Sequence, residues 1–404
     1  MLRGSLADMI ERALRPGQIV VLDGMPQVGR SSFAHAWIAE RGDVAIAGTA
    51  AAAGAPFLLH DHMDAAAAAH LIDRVRSPEW ADAGPGMLVV PDDIATVRAL
   101  RNTLTARAEV LRLEPMTLED YRSEALPAVP AGPAVVAAAP GPGAALPAVP
   151  SQEVHWLRGG MPDALHALTD AHSLVWRTNL LVGVLGRDYS AFGVEAATRL
   201  PDVALELARR NGGEHDEDGH PWLRRKELAS AVHVLKEVGL IRRLPNLANG
   251  LVQGRTHKDK LYIRDTGLLH ALVGVEDVLQ LRDWRDVGES FEGYVIEELI
   301  RASGNATAGF FRAETEPGLG ADEVDLVLDF TPRRAAKLAI EVKKGEGSRA
   351  RPGFARACAL IQPTDTFVVH SGPTPATTPG MPRLDLASAI ARVAAAAAGP
   401  RNGR

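Results

Sequence analysis

The sequence predicts an α/β fold class: a doubly wound parallel sheet, then a mainly helical region, then a second α/β part. Three observations carry this prediction. Apolar, β-branched runs alternate with amphipathic stretches near the N-terminus, as in parallel sheets wound with helices. A tract of proline, alanine and glycine then interrupts the chain, and two alternating runs follow a helix towards the C-terminus. The predicted parts are a first domain at 1–124, a linker at 125–151, a helical region at 152–283, a last domain at 284–390 and a tail at 391–404.

Composition excludes several classes of protein. The 404 residues are 46% hydrophobic and 23% charged, which is ordinary for globular domains. The net charge of −6 excludes an overall basic surface, so DNA would have to bind a local patch such as Arg224, Arg225 and Lys226. The single cysteine, Cys358, excludes an internal disulfide and favours a cytoplasmic location. No membrane segment is expected, because the N-terminus lacks the apolar core of a signal peptide and prolines interrupt the longest uncharged apolar tract.

A phosphate-binding loop is predicted between the first strand and the helix that follows it. The buried run GQIVVLDG leads into GMPQVGRS (24–31), which fits the pattern G-x-x-x-x-G-K-S/T except that arginine replaces lysine. Such P-loops aim backbone N–H groups and a helix N-terminus at phosphate oxygens. The pattern predicts that ATP or another nucleotide binds with Mg²⁺ through Gly24, Gly29, Arg30, Ser31 and Ser32. Ser31 is the expected magnesium ligand, and the alternative is a glycine turn without a ligand.

The acid expected beside this magnesium ion has two alternatives. Asp61, in FLLHDHMD, stands at a strand end, but the next position holds His62, where a glutamate would position the attacking water. This substitution argues for lost hydrolysis, as does the arginine in the loop. In another alignment Asp92 and Asp93 are the magnesium-binding acids. In a competing interpretation His60, Asp61, His62 and Asp64 form a metal-binding cluster. In another, these residues are simply the solvent-exposed end of a strand.

Two alternating runs near the C-terminus predict neighbouring strands. The first, DEVDLVLDF, places one set of residues on its apolar face: Val324, Leu326, Leu328 and Phe330. Its other face carries Glu323, Asp325 and Asp329. In LAIEVKKG, Glu341 and Lys343 share the face opposite the apolar residues. The preceding helix, GESFEGYVIEELI, supplies Glu292 on an apolar stripe, whereas Glu297 and Glu298 are expected to lean outward.

These residue types suit metal-dependent cleavage of phosphodiester bonds. Carboxylates on adjacent strands hold a hard divalent ion, which activates water and binds phosphate, and a lysine stabilises the developing charge. The predicted catalytic residues are Glu292, Asp325, Glu341 and Lys343, with Asp325 and Glu341 as metal ligands. Their order is similar to that of PD-(D/E)xK nucleases. The alternative is two amphipathic strands with solvated charges.

Several motifs together resemble one family, the prokaryotic AAA-type P-loop ATPases that carry a C-terminal half of unknown function with a restriction-endonuclease-like core. TLTARAEVLRLEPMTLEDY (103–121) looks like the sensor region of that family, and Arg107 matches the family arginine. LRGGMPDAL, RDYSAF and KLYIRDTGLLHAL are similar to further family motifs, and the last of these is the most specific. The segment ELASAVHVLKEVGLIRRL is similar to a winged helix, with Leu228, Val232 and Leu235 on one face.

The resemblance implies a P-loop AAA-like nucleotide-binding domain, a winged-helix region and a PD-(D/E)xK-like α/β core. It adds Arg107 to the nucleotide-binding residues and implies ATP and Mg²⁺ as cofactors, with DNA or a protein as partner and homo-oligomers as a compatible state. Two hypotheses follow. In one, ATP binding controls phosphodiester cleavage; in the other, the chain is a regulatory or scaffold protein that binds nucleic acid or protein without cutting.

Overall fold

The computed structural model describes residues 3–77, 80, 84–123, 151–194, 199–215, 225–249, 251, 255–256, 258–304, 306–314, 318, 320–345, 351–372 and 381–399. The chain forms two compact units. The N-terminal unit consists of Leu2–His155 and Gly160–His166, and the C-terminal unit of Trp156–Gly159 and Ala167–Arg404. The predicted linker lies outside the described residues except for Ser151, and so does Arg224 of the predicted basic patch.

The N-terminal unit contains a five-stranded parallel sheet in the order β2-β3-β4-β1-β5, so the predicted parallel α/β sheet is confirmed. Its strands are β1 (Ile19–Gly24), β2 (Val44–Ile46), β3 (Phe57–Met63), β4 (Gly86–Pro91) and β5 (Ala108–Leu113). The helices described in this part of the chain are α1 (Arg3–Ala13), α2 (Arg30–Ala39), α3 (Ala65–Arg76), α4 (Ile94–Thr103), α5 (Leu118–Ser123), α6 (Gln152–Arg158) and α7 (Pro162–Leu165).

The interior strand β1 is covered on both faces, because Val20 and Val21 point to opposite sides of the sheet and neither is exposed. Burial on both faces explains why this strand is a continuous apolar run and does not alternate. In a parallel sheet the carboxyl ends of all strands lie at one edge. That edge therefore collects the ends of β1, β3 and β4 and the residues that follow them.

The C-terminal unit begins with helices and ends in a sheet packed with helices. Its described helices are α8 (Asp170–Leu185), α9 (Leu200–Arg209), α10 (Arg225–Val238), α11 (Thr266–Val273), α12 (Val278–Asp283), α13 (Val287–Ala302), α14 (Pro352–Ile361) and α15 (Leu386–Ala398). Its described strands are β6 (Ile241–Leu244), β7 (Arg255–Thr256), β8 (Lys260–Ile263), β9 (Thr307–Glu314), β10 (Asp322–Asp329), β11 (Lys337–Lys343), β12 (Asp365–His370) and β13 (Arg383–Leu384).

The helical middle of the chain is confirmed. α8 and α13 have 16 residues each, and within the described parts of the chain no helix is long and apolar enough to cross a membrane. The buried residues of α10 are Leu228, Ala231, Val234, Leu235 and Val238. Val232, which was expected on the buried face, is only half-buried, because the stripe runs through Val234.

The second sheet is mixed, with the order β13-β12-β11-β10-β9-β7. β11, β12 and β13 are parallel, whereas β10 is antiparallel to both of its neighbours. β6 and β8 form a separate antiparallel pair. One face of the mixed sheet packs on α13, and this core includes Phe291, Val295, Leu299, Leu326, Leu328 and Ile340.

The expected strict alternation of β10 is wrong at its beginning. The pairing with β9 shifts register between Val324 and Val327. Val324 and Val327 pack with Phe354 in a second cluster, whereas Leu326 packs on the α13 side. An extra residue in a strand turns the following side chains to the other face. The register shift therefore includes Asp325, so the face on which this side chain lies cannot be inferred from the alternation of the rest of the strand.

The last helix continues beyond the predicted domain boundary at 390. α15 runs to Ala398 and buries Leu386, Ala389 and Val393. Its residue spacing of three and four places these side chains on one face, which packs into the core of the mixed sheet. The predicted tail is therefore partly a packed helix, and residues 400–404 lie outside the described residues.

Candidate functional site

The predicted phosphate loop lies at the carboxyl edge of the parallel sheet, between β1 and α2. A Cβ atom on Gly24 would lie 2.7 Å from the carbonyl oxygen of Leu113, so only glycine fits there without movement. Gly29 has a φ of 91° and precedes α2, which has no side-chain cap. A helix whose first turn is not capped by a side chain can direct its N–H groups at an anion. The local geometry therefore suits phosphate.

Ser31 and Asp61 are brought together at this edge. Asp61 lies on β3 and Ser31 lies on the helix after β1, and β4 separates these two strands in the sheet. The Ser31 hydroxyl donates a hydrogen bond of 2.8 Å to Oδ1 of Asp61. The other oxygen, Oδ2, is 2.9 Å from Nε2 of His35, which lies one helical turn after Ser31. The side chain of Asp61 is 12% exposed. A hydroxyl and a carboxylate in contact beside a phosphate loop form a donor set that suits Mg²⁺.

The alternative acids have other partners. Asp93 caps α4 by accepting a hydrogen bond of 2.7 Å from the amide of Thr96. Oδ1 of Asp92 is 3.1 Å from Nδ1 of His62, whose side chain is 76% exposed. Asp64 likewise caps α3. Because helix caps explain Asp64 and Asp93, the geometry favours Asp61 as the acid beside the loop.

The two arginines of the predicted nucleotide site are far apart. Nη1 of Arg30 donates a hydrogen bond of 2.7 Å to the carbonyl oxygen of Pro91, at the end of β4. Arg107 precedes Ala108, which pairs with Ile19 at the opposite end of β1 from Gly24. Five residues of strand separate those two ends by about 16 Å. The structure therefore does not bring Arg107 to the loop. Ser32 is exposed on the first turn of α2.

A second group of charged side chains lies at one end of β10 and β11. It consists of Glu292, Glu323, Asp325 and Glu341 with Lys260 and Lys343, and is named here the carboxylate cluster. Nζ of Lys343 lies 2.6 Å from Oε1 of Glu341 and 3.8 Å from Oδ2 of Asp325. The same Asp325 oxygen accepts a hydrogen bond of 2.8 Å from the amide of Val342. The predicted acids and lysine of the two strands therefore meet.

Glu292 joins the cluster through two residues from β8. Its Oε1 accepts a hydrogen bond of 2.6 Å from the hydroxyl of Tyr262 and lies 3.1 Å from Nζ of Lys260. The same Nζ lies 3.1 Å from Oε1 of Glu323 and 5.1 Å from the ring centroid of Phe310. Burial alone would raise the pKa of Glu323, but Lys260 and neighbouring arginines outweigh it and lower that pKa.

Lys260 and Tyr262 are members of the site that were not predicted from the sequence. The available signal was their spacing, because residues two apart on a strand share a face and the strand KLYI is otherwise apolar. A lysine in such a strand is costly to bury without an acidic partner. The identity of that partner depends on the packing of α13 against β8, which local pattern does not give.

Asp325 and Glu341 carry negative charge that the cluster offsets only in part. Burial raises the pKa of Asp325 well above its ordinary value, and the carboxylates of Glu292 and Glu341 raise it further. Burial also raises the pKa of Glu341, although Lys343 opposes that shift. Oε2 of Glu341 is buried and has no hydrogen-bond partner among the described residues. An added cation would therefore stabilise both carboxylates.

The expectation that Glu297 and Glu298 lean outward is wrong. Both are buried on α13. Glu297 is paired with Arg242 and lies 3.4 Å from Arg264, and Glu298 lies 3.2 Å from Arg301. Burial would raise the pKa of Glu297, but the arginines outweigh it and lower that pKa. Charged residues on an apolar helix can be buried when arginines pair with them.

The donor set of Asp325 and Glu341 fits a magnesium-type ion. Among the described residues, no group of three or more histidine, cysteine, aspartate or glutamate side chains has the arrangement of a complete metal site. Mg²⁺ commonly takes only one or two carboxylates and completes its shell with water and phosphate oxygens. The unpartnered oxygen of Glu341 is a suitable ligand. The protein would thus supply part of the coordination shell, and substrate and water the rest.

Comparisons with known proteins give relatives without an established activity. Residues 150–279 match the family described as a domain of unknown function, DUF8612. Uncharacterized proteins of Mycobacterium tuberculosis and Mycobacterium bovis are each 26% identical to this chain over 227 residues. Each match covers 54% of this chain and 48% of the relative, so the chain spans about half the length of these curated relatives. The family match includes Lys260 and Tyr262, and the other residues of the carboxylate cluster follow it in the sequence.

Proposed function

We propose that the C-terminal unit contains, at 284–390, a PD-(D/E)xK-like core that acts on DNA phosphodiester bonds with a divalent ion. We propose further that the N-terminal unit is a P-loop, AAA-like domain that binds ATP with Mg²⁺ and does not hydrolyse it efficiently. The observation that carries the proposal is the meeting of Asp325, Glu341 and Lys343 at the end of two adjacent strands, with Glu292 nearby.

Each member of the carboxylate cluster has a role in this proposal. Asp325 and Glu341 hold the ion, which when bound lowers the pKa of a water molecule and offsets the charge of phosphate. Lys343 orients the Glu341 carboxylate and donates hydrogen bonds towards the phosphate. The amide of Val342 fixes the Asp325 carboxylate. Glu292 acts through its contacts with β8, which set the charge next to Asp325.

Two features support nucleotide binding by the N-terminal unit. The loop Gly24–Ser31 lies at the carboxyl edge of a parallel sheet, where such sheets bind ligands. Ser31 contacts Asp61, which gives magnesium a hydroxyl and a carboxylate oxygen. Two departures from the family pattern argue against efficient hydrolysis. Arg30 replaces the lysine, and His62 replaces the glutamate that would position water.

A winged-helix arrangement supports DNA as the partner. α10 is followed by the antiparallel pair of β6 and β8, which is the order of a recognition helix and its wing. Arg225 and Lys226 are exposed at the beginning of α10. Basic side chains there would contact phosphates, which gives affinity without sequence preference.

A second candidate function is a regulatory or scaffold protein that binds nucleic acid or a protein without cutting. One observation favours it: within the described residues the acids do not form a complete metal site of three or more ligands. In this case the carboxylate cluster would be a structural network that fixes β8 and α13 against the sheet.

Cleavage of labelled DNA in the presence of Mn²⁺ distinguishes the nuclease from the regulatory or scaffold function. Asp329→Asn is a matched control for Asp325→Asn, because Asp329 lies on the same strand but contacts Thr331 and Lys337 at its other end. The proposal expects cleavage by the wild type and by Asp329→Asn, and none by Asp325→Asn. DNA binding without cleavage in all three proteins supports the regulatory function. Equal cleavage by all three contradicts the assignment of the site.

A further inference from the structure

We infer that Lys260 takes the place of a second metal ion, so that the carboxylate cluster holds a single divalent ion between Asp325 and Glu341. This inference rests on the proposed function of that cluster and names its metal stoichiometry. It assigns Lys260 as a positioning residue and excludes Glu292 as a metal ligand.

The geometry places one ammonium group between two acids. Nζ of Lys260 is 3.1 Å from Oε1 of Glu292 and 3.1 Å from Oε1 of Glu323. Its side chain is 6% exposed, so water screens these contacts little. The ring of Phe310, at 5.1 Å from the same nitrogen, provides a further favourable surface for a cation. The ammonium is therefore held in a fixed position and is not a solvated surface charge.

One carboxylate oxygen of Glu292, Oε1, already has two partners in the cluster. Oε1 receives both the hydroxyl of Tyr262, at 2.6 Å, and the ammonium of Lys260. An ion bound there would have to displace these contacts. A divalent ion beside Glu292 would also lie next to a buried positive charge of the protein itself, and like charges repel strongly where water is excluded.

Lys260 and Lys343 lower the pKa of Asp325, and Lys343 lowers that of Glu341, but burial outweighs them and both pKa values stay raised. Lys343 contacts Oε1 of Glu341, but Oε2 of that residue is buried without a hydrogen-bond partner among the described residues. Lys343 lies 3.8 Å from Asp325, which is beyond hydrogen-bond distance. The cluster therefore divides into Glu292 and Glu323, which contact Lys260 directly, and Asp325 and Glu341, whose charge the two lysines offset only in part.

The test is the number of Mn²⁺ ions that the nucleotide-free 404-residue chain binds, counted from the electron paramagnetic resonance signal of free Mn²⁺. We expect the wild type to bind one ion more than Asp325→Asn, and its spectrum at saturation to show no coupling between neighbouring Mn²⁺ ions. Lys260→Met removes the ammonium and keeps a similar length. We expect this variant to bind two ions more than Asp325→Asn and to show that coupling.

A second variant keeps the inference testable if Lys260→Met does not fold. We expect Glu292→Gln to keep the Mn²⁺ affinity within about threefold of the wild type, because Glu292 is not a ligand, whereas Asp325→Asn weakens it by about 100-fold. Coupled Mn²⁺ ions in the wild type overturn the inference. A loss of Mn²⁺ affinity in Glu292→Gln as large as that in Asp325→Asn also overturns it. So does folded Lys260→Met that binds the same number of Mn²⁺ ions as the wild type. In these cases the proposed function stands, whereas a wild type that binds no ion at this site overturns both.

Discussion

The predicted phosphate loop of the N-terminal unit and the carboxylate cluster of the C-terminal unit place their charged groups in different surroundings. At the loop the candidate ligand-binding features are backbone groups and accessible side chains, such as the half-buried Ser31 and the exposed Ser32. In the cluster the side chains of Asp325 and Glu341 are 6% and 2% exposed. Buried carboxylates destabilise the fold unless something offsets their charge, whereas exposed ones do not. Substitutions at the loop should therefore change binding, and those of Asp325 and Glu341 should change both binding and stability.

The largest effect is expected for Asp325→Asn, which should stabilise the metal-free protein and remove most of its response to metal. The raised pKa of Asp325 means that its ionised form is disfavoured in the folded state, so an uncharged isostere removes a cost. We expect the free energy of unfolding without metal to rise by about 1 kcal/mol, or about 2–4 °C in Tm. At 100 times the wild-type Kd, Mn²⁺ should add about 2.7 kcal/mol to the wild type and about 0.4 kcal/mol to the variant, which binds the ion about 100-fold more weakly.

The control for this prediction is Asp329→Asn, on the same strand. Burial would raise the pKa of Asp329, but Thr331 and Lys337 outweigh it and lower that pKa, so its ionised form stabilises the fold. This variant should be slightly less stable than the wild type and should keep the full Mn²⁺ shift in melting temperature. A lower Tm for metal-free Asp325→Asn than for the wild type would contradict the view of the cluster as an incompletely neutralised site.

Buried ionisable groups should also make the stability of the C-terminal unit depend on pH. His270 is fully buried; its Nδ1 lies 3.0 Å from the carbonyl oxygen of Leu157 and its Nε2 lies 2.8 Å from the hydroxyl of Ser290. In the neutral ring Nδ1 therefore carries the proton and donates a hydrogen bond to Leu157, and Nε2 accepts a hydrogen bond from the hydroxyl of Ser290. Burial lowers the pKa of His270 to about 3.

This depressed pKa makes the folded state less stable in acid. Below its ordinary value of 6.5 the unfolded chain binds a proton at His270 that the folded chain does not, so stability falls with pH from 6.5 towards 3. The expected slope is about 1.4 kcal/mol per pH unit. Urea unfolding of the wild type and His270→Asn at several pH values isolates this contribution. We expect the difference between the two proteins to shrink on acidification; a constant difference from pH 7 to pH 4 would show that His270 does not titrate on unfolding.

The parts of the fold that could be predicted from the sequence are those that local pattern determines. The strand, loop and helix around Gly24–Ser31 are contiguous, so their order and their glycines specify the geometry directly. The strands of Asp325 and Glu341 were recognisable because their apolar residues alternate over most of their length. The contact of Ser31 with Asp61 was accessible to the same logic, because parallel strands end at one edge.

The remaining features depend on contacts between distant segments. The register shift after Val324 is set by the pairing with β9, which the strand itself does not reveal. Glu297 is buried because arginines from other elements reach it. Lys260 joins the cluster because β8 packs beside α13. Arg107 was assigned to the nucleotide site from family resemblance, and the strand register places it at the other edge of the sheet.

The smallest effect is expected at the loop, for Ser31→Ala. The hydroxyl of Ser31 contacts Asp61 and is the expected magnesium ligand, so its loss should weaken binding of a fluorescent ATP analogue by about tenfold in Mg²⁺, as for loss of one hydrogen bond to a charged group. In EDTA the same substitution should change affinity less than about twofold, because the phosphate contacts of the backbone remain. Melting temperature should stay near that of the wild type, since Ser31 is partly exposed. Equal weakening of binding with and without magnesium would mean that Ser31 contacts phosphate directly. A large loss of stability would contradict the contrast between the two sites, because the loop would then also contribute to the stability of the N-terminal unit.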